Sequence, residues 1–361
     1  MAPSATLRDV AKLAGVSIGT ASQALNNRPN VLPDTRERVL KAAQALGYVS
    51  PSSQSERQCV ISTIGMLTKH DYGPPPELNV FFSHVQAGVE MECRANKINL
   101  MFSAIEVDQS NRPIDWPRMI DDRQIDGLLL LGTNIDAVAH GLRRKLGTPI
   151  VLVDSYAPGY NFDSILIDNL GGAMQAVNHL LDFGHRHIGL IGTNPESPPD
   201  ILERREGYRR ALRARGIERE YIEDGLMEQG DGYRATRRLL RASPEVTAIF
   251  VANDDTALGV INAARDLGLR VPDELSIVGF DDVDLAREIR PSLTTVHVHK
   301  TWLGRLAVRR LIERAQNPDQ PHIVVTVATH LVERESTKSR RDTMSKEVRA
   351  IVQSPLDCCS A

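Results

Sequence analysis

Long apolar runs are missing from this chain of 361 residues. No stretch approaches the ~18 residues of a membrane span, so no membrane partner is expected. The N-terminal "MAPSATLRDVAKLAG" sets Arg8, Asp9 and Lys12 inside its only apolar pattern, which argues against a secretory signal and for the cytoplasm. Cysteine is scarce. The four residues, Cys59, Cys93, Cys358 and Cys359, form no C-x-x-C pair and have no nearby histidines. Reduced thiols are therefore expected, with neither a disulfide framework nor a metal site. Neither G-x-x-x-x-G-K-[ST] nor G-x-G-x-x-G occurs, so nothing points to nucleotide hydrolysis, a dinucleotide or any other cofactor. No histidine precedes His70, and no sustained leucine heptads follow Glu335.

What is present is ordinary in amount and uneven in placement. Hydrophobic residues make up 42% and charged ones 25%, enough for two or three globular domains. Net charge is −3 overall. Residues 1–58 hold seven Lys/Arg against four acids, +3, and the remainder holds 36 against 42, −6. A small basic head on an acidic body suits a head that meets phosphate, although a solvated face accounts for +3 equally well.

The stretch "AGVSIGTASQALN" (residues 14–26) admits two readings. Gly15-Val16-Ser17-Ile18-Gly19 fits the G-x-S-x-G elbow of a serine hydrolase, and the whole fits the turn and second helix of a helix-turn-helix. An elbow needs a buried strand leading into the serine. Here the serine follows an amphipathic pattern: Thr6 as cap, Asp9 reaching back to it, and Leu7, Val10, Ala11 and Ala14 on one stripe. Gly15 ends that helix in a left-handed turn, and Ser17 caps a second helix with Ala21, Ala24 and Leu25 inward. Ser17 is thus read as a cap, not a nucleophile, and no enzyme is expected. A third helix is expected from Pro33, with Val39, Leu40, Ala43 and Leu46 inward.

"TLRDVAKLAGVSIGTASQALNN…TRERVLKAAQALGY" resembles the DNA-binding head of the lactose/galactose-repressor family of bacterial transcription regulators. The resemblance implies base contacts at Ile18, Gly19 and Gln23. It implies phosphate contacts at Thr6, Leu7 (main chain), Ser17, Thr20, Ser22, Asn26 and Thr35. Ile18-Gly19 is a spare reading surface, and Gln23 stands where many members carry arginine, so discrimination is expected to lean on Gln23 and on DNA shape. After the head comes the polar "SPSSQSERQ" (residues 50–58). In the family this place forms a hinge helix with a leucine wedge in the minor groove. That position is Arg57 here, which leaves a minor-groove arginine or a disordered linker as alternatives.

Beyond Cys59, apolar runs such as "VISTIGML", "DGLLLLG", "PIVLVD", "HIGLIGT", "AIFVAND" and "LSIVGFDD" alternate with helical patterns. Such runs predict parallel strands covered on both faces, and their number predicts two doubly wound α/β lobes with a cleft at the carboxyl ends of the strands. Asp154, Asn253 and Asp281 end strands there, and Asp254 or Asp255 is expected to cap the following helix. "IDNLGGAMQAVNHLLDFGHRHIGLIG", "RREGYRRAL", "FVANDDTALG" and "PSLTTV" resemble the same family's sensor domain, itself similar to periplasmic sugar-binding proteins. By that resemblance the effector pocket includes Asp154, Arg204, Asn253 and Asp281, with Phe81 or Phe82 stacking on the ligand. Lys300, with Arg204, would signal an acidic effector if it faces the cleft; the alternative is a solvated lysine. In "GHRHIG", strand alternation explains His185 and His187 better than a metal does.

The expectation is an α/β protein with a three-helix head (1–49), a linker (50–59), a two-lobed sensor and dimerisation domain (60–336) and a disordered tail (337–361). It would be a sequence-specific repressor, homodimeric on a near-palindromic operator and controlled by a small molecule, with a sugar or sugar derivative ahead of a purine base. A solute-binding protein for transport and a regulator answering to a protein partner are the rival readings.

Overall fold

The computed structural model describes residues 6–25, 31–46, 48, 61–71, 80–108, 110–132, 135–155, 157, 159 and 161–340. Of the expected site residues, Asn26 and Arg57 lie outside this set, as does the 50–59 linker. Two compact units are present, residues 1–62 with 312–320 and residues 63–311 with 321–361.

The head consists of α1 (Leu7–Ala14), α2 (Ile18–Leu25) and α3 (Pro33–Ala45). Thr6 closes a capping box: its N–H and Oγ1 donate to Asp9 Oδ2 at 2.9 and 2.6 Å, and the Asp9 N–H donates back to Thr6 Oγ1 at 3.4 Å. Gly15 takes φ 65°, the left-handed turn that ends α1. Ser17 Oγ then accepts the Thr20 N–H at 3.0 Å, so the serine is a helix cap as expected. The core is made of small residues: Val10, Ala11, Ala14, Ala21, Ala24, Val31, Val39, Ala42 and Ala43. Leu40 and Leu46, expected inside, are 50% and 37% exposed. The alanine faces of α1 and α2 approach closely and admit only short side chains, so Ala42 takes the inner position.

In the body, β1 (Thr63–Asp71), α4 (Val80–Ala95), β2 (Asn99–Val107), α5 (Arg118–Asp121), β3 (Gly127–Leu131), α6 (Asp136–Lys145), β4 (Ile150–Val153) and β5 (Asp163–Ile167) build a first lobe. A second lobe follows with α7 (Asn169–Asp182), β6 (Ile188–Thr193), α8 (Pro199–Ala214), β7 (Tyr221–Asp224), α9 (Gln229–Ala242), β8 (Ala248–Val251), α10 (Asp254–Asp266), β9 (Ser276–Asp281), α11 (Leu285–Glu288) and β10 (Thr294–His297). The chain then returns to the first lobe as α12 (Lys300–Gln316) and β11 (Val324–Val327), and ends in the second as β12 (His330–Val332).

The first sheet has the order β11-β5-β4-β3-β1-β2, parallel throughout. The second has the order β12-β10-β9-β8-β6-β7, parallel except for β12. The strands "GLLLL", "IVLV" and "AIFV" are buried along their whole length, because helices cover both faces. Gly207 permits α8 to lie against α7; a Cβ there would stand 2.6 Å from the Leu170 carbonyl oxygen. Residues 337–340, expected in a disordered tail, pack on the second lobe: Thr337 Oγ1 meets His179 Nε2 at 3.0 Å, and the Arg340 N–H donates to the Phe183 carbonyl at 2.8 Å.

Candidate functional site

The head presents one polar face. Ile18, Gly19 and Gln23 are exposed along one side of α2, and a Cβ at Gly19 would meet only Ser17 Oγ, at 3.8 Å. Thr20 and Ser22 flank them, half-buried. Ser17 Oγ and Thr20 Oγ1 lie 2.8 Å apart at the N-terminus of α2, and Thr6 holds the N-terminus of α1. Hydroxyls and unpaired N–H groups at helix starts are the donors that phosphate oxygens accept. Thr35, half-buried, occupies the first turn of α3.

In the body the strand ends converge around one guanidinium. Arg204, on α8, is 3% exposed. Its Nε donates to Asn169 Oδ1 at 2.8 Å, its Nη1 donates to the Ala252 carbonyl, and its Cζ lies over the Phe280 ring, 3.8 Å from the centroid. Nη1 also stands 3.3 Å from Asp281 Oδ1, without the alignment of a hydrogen bond. Asp281 is buried and its Oδ1 has no hydrogen-bond partner. Burial pushes the carboxyl of Asp281 up to about 6, against the pull of Arg204 and Lys300. Asp154, buried after β4, is pushed up to about 8 by burial and then by Asp200, with Arg204 opposing. The backbone of both sites is left-handed, with φ 53° at Asp154, 109° at Asp281 and 52° at Asp282. Such strain outside glycine collects where side chains must be aimed.

Other expected residues divide. Asn253 caps α10, its Oδ1 accepting the Thr256 N–H at 3.0 Å, so the cap is Asn253 and not Asp254 or Asp255. Asp254 is instead a buried brace that accepts Thr295 Oγ1 at 2.6 Å and the Val283 N–H at 3.0 Å. Phe81 is buried and Phe82 half-buried at the start of α4, in edge-to-face contact at 5.2 Å. Lys300 is neither solvated nor turned outward as a charge. It is 6% exposed, and its ammonium donates to the carbonyls of Asp281, Asp282 and Val298. With its three donors engaged, it positions the end of β9.

Asp200 was not singled out from the sequence. It is 4% exposed, and burial raises its carboxyl against the pull of Arg204. Its spacing of four residues from Arg204 on one helix is the signal that pairs them. Asn169, first residue of α7, was also missed. The histidines of "GHRHIG" are structural: His185 Nδ1 meets Thr247 Oγ1 at 3.0 Å and its Nε2 meets the Lys338 carbonyl at 3.1 Å, while His187 Nδ1 meets the Tyr221 hydroxyl at 2.7 Å.

A family model described as bacterial regulatory proteins, lacI family, matches residues 6–51, and one for a periplasmic binding protein-like domain matches residues 177–337. The chain is 33% identical over 342 residues to the HTH-type transcriptional repressor PurR of Haemophilus influenzae, covering 93% of this chain and 99% of the relative. Among solved structures, a transcriptional regulator CelR–cellobiose complex is 30% identical with a TM-score of 0.67, covering 92% of this chain and 99% of that one. The lac repressor dimer bound to operator and the anti-inducer ONPF is 25% identical with a TM-score of 0.66, covering 93% and 100%. The relatives are repressors and not enzymes. With a helix-turn-helix head, two α/β lobes and likeness along nearly its whole length, the chain belongs to the lacI family of bacterial regulatory proteins and is a DNA-binding transcriptional regulator with an effector-binding body.

Proposed function

We propose that the protein is a homodimeric, cytoplasmic repressor whose hold on a near-palindromic operator is set by a neutral, polyhydroxylated effector bound between the lobes. One observation carries the choice of ligand: the carboxyls of Asp154, Asp200 and Asp281 gather around the single guanidinium of Arg204, and Asp281 Oδ1 is unfilled. Carboxyl oxygens outnumber the guanidinium donors there, and hydroxyls, which both donate and accept, match them whether or not a carboxyl keeps its proton. A phosphate or carboxylate would instead meet three acids, with Lys300 already engaged. The acidic effector suggested by Arg204 and Lys300 together is therefore set aside in favour of an uncharged sugar. Phe82 is the stacking candidate at the first lobe's edge, with Phe81 behind it, and Asn253 keeps its amide nitrogen for the ligand.

On DNA, Gln23 and Ile18 read bases beside the bare Gly19. Thr6, the Leu7 N–H, Ser17, Thr20, Ser22, Asn26 and Thr35 hold phosphates, and Arg57 is the candidate for the minor groove. Gln23→Ala relaxes preference at one base position by about 1–3 kcal/mol, whereas Thr20→Ala weakens all sequences alike. The ligand reading is tested by thermal shift against ribose, glucose, cellobiose, glucose 6-phosphate, gluconate and hypoxanthine. A neutral sugar at 100 times its Kd adds about 2.7 kcal/mol of stability. A response to the phosphorylated or acidic sugar alone contradicts the proposal.

A further inference from the structure

The chain passes between the lobes three times: at Asp168 after β5, at Val298–His299 between β10 and α12, and at Ala328–Thr329 between β11 and β12. The first and third of these passages are tied together. The Asp168 N–H donates to the Val327 carbonyl at 3.0 Å, Thr329 Oγ1 donates to the Asp168 carbonyl at 3.4 Å, and Gln175 Nε2 donates to the Thr329 carbonyl at 3.2 Å. Any change in lobe orientation is taken up here.

Two of these passages carry imidazoles. His297 ends β10 and is the register partner of His330, which begins β12, so both belong to the second lobe. His299 lies beyond Val298, where α12 begins. That helix belongs to the first lobe: Arg305 and Arg309 donate to Glu92 at 2.8 Å each, and Arg310 donates to Asp163 at 2.8 Å. Ring centroids are 4.8 Å apart for His297 and His299, 4.9 Å for His297 and His330, and 5.3 Å for His299 and His330. The cluster thus spans the hinge, with one ring on one side and two on the other.

Little negative charge is available to these rings. Asp282 meets His297 Nδ1 at 2.7 Å, but the same carboxylate holds Arg334 and lies 3.6 Å from Arg287. The Lys300 ammonium sits below, and Arg305 lines the adjoining 370 Å³ cavity. On the cavity's far wall, His84 of α4 faces Asp284 at 3.5 Å across the lobes. Burial, then His297, His330 and Lys300, holds the His299 imidazole below its ordinary range.

We propose that His297, His299 and His330 form a proton-sensitive hinge, in which acidification from about pH 7.5 to 5.5 drives His299 from its two neighbours and shifts the lobes away from the arrangement seen here. The sign follows from linkage: an arrangement that disfavours a proton is disfavoured by acid.

The head carries no histidine, the first in the chain being His70, so any imidazole contribution to a pH response of operator binding in this window arises in the body. Asp281 and Asp154 also titrate near it, and a variant at His299 separates their contribution. The test uses full-length dimer without effector, on operator DNA obtained by random-site selection. The chain has two tryptophans, Trp116 and Trp302, which allows 5-fluorotryptophan labelling with Trp302 beside the cluster and Trp116 as reference. The wild type should change operator affinity threefold or more between pH 7.5 and 5.5, with the Trp302 resonance moving over the same range. His299→Gln and His330→Gln should each remove most of both changes, while His84→Gln keeps them. A flat wild-type profile, or a pH response that survives in His299→Gln, overturns the proposal.

Discussion

The two sides of the end of β9 make opposite use of adjacent aspartates. On the Arg204 side, Asp281 is buried with no hydrogen bond at Oδ1, 3.3 Å from Arg204 Nη1, and its carboxyl is pushed up to about 6. Facing the hinge, Asp282 is equally buried, yet hydrogen bonds from Arg334 and His297 outweigh the burial and hold its carboxyl below the ordinary range. One side is a brace that the protein completes by itself. The other is left without a hydrogen bond at Oδ1, at a cost in stability, and under the proposed function a ligand with donors completes it. Lys300 serves both by holding the two carbonyls that set these side chains on opposite faces.

The largest loss is expected at the brace. Asp282→Ala strands Arg334 and His297, and should cost about 3 kcal/mol in denaturant unfolding of the body, the penalty of removing one member of a buried ion pair. On the other side, Asp281→Asn should not lower the stability of the body at neutral pH, since it removes a buried charge, but should weaken the responding sugar by about 1.5–3 kcal/mol, roughly ten- to a hundredfold, in calorimetric titration. If both variants lose stability alike, the two sides do not differ as described.

Acid and base sharpen the contrast. Burial raises Asp281 to about 6 and Asp154 to about 8, so the folded chain keeps protons that the unfolded chain releases near pH 4. Stability from these groups is greatest below about pH 4 and falls as pH rises towards 6 and 8. Asp154→Asn should flatten that decline and raise stability at pH 8 by about 1 kcal/mol, read from melting at pH 5.5 and 8. Asp282, held low, loses its contribution only on strong acidification. The smallest effect belongs to Arg287→Ala: that side chain is 61% exposed and 3.6 Å from Asp282, so the change should stay under about 0.5 kcal/mol.

These contrasts differ in how far the sequence discloses them. The head is local: Thr6 and Asp9, Gly15, and Ser17 act within three or four residues, and their spacing alone predicts the caps. Its one misassigned face, Leu40 and Leu46, depends on how closely α1 and α2 approach. In the cleft, Asp154, Asn253 and Asp281 are legible because apolar strands end on them. Asn169 is not, since only the packing of α7 against α8 brings it to Arg204, whereas Asp200 carries its signal in the spacing of four residues from Arg204 along α8. Lys300 was misread for a related reason: carbonyls at Asp281 and Asp282 leave no mark in the side-chain pattern. The imidazole cluster is the extreme case, joining His297 and His299 to His330, far along the chain, through an antiparallel strand at the sheet's edge.

The most direct measurement of whether this cleft governs the head is operator binding with and without the sugar that stabilises the protein, on a site recovered by random selection, for wild type and Asp281→Asn together. A recovered near-palindrome, at least a tenfold change in wild-type affinity on adding the sugar, and intact but unresponsive binding by Asp281→Asn are the predicted results. A response of equal size in Asp281→Asn would contradict the account.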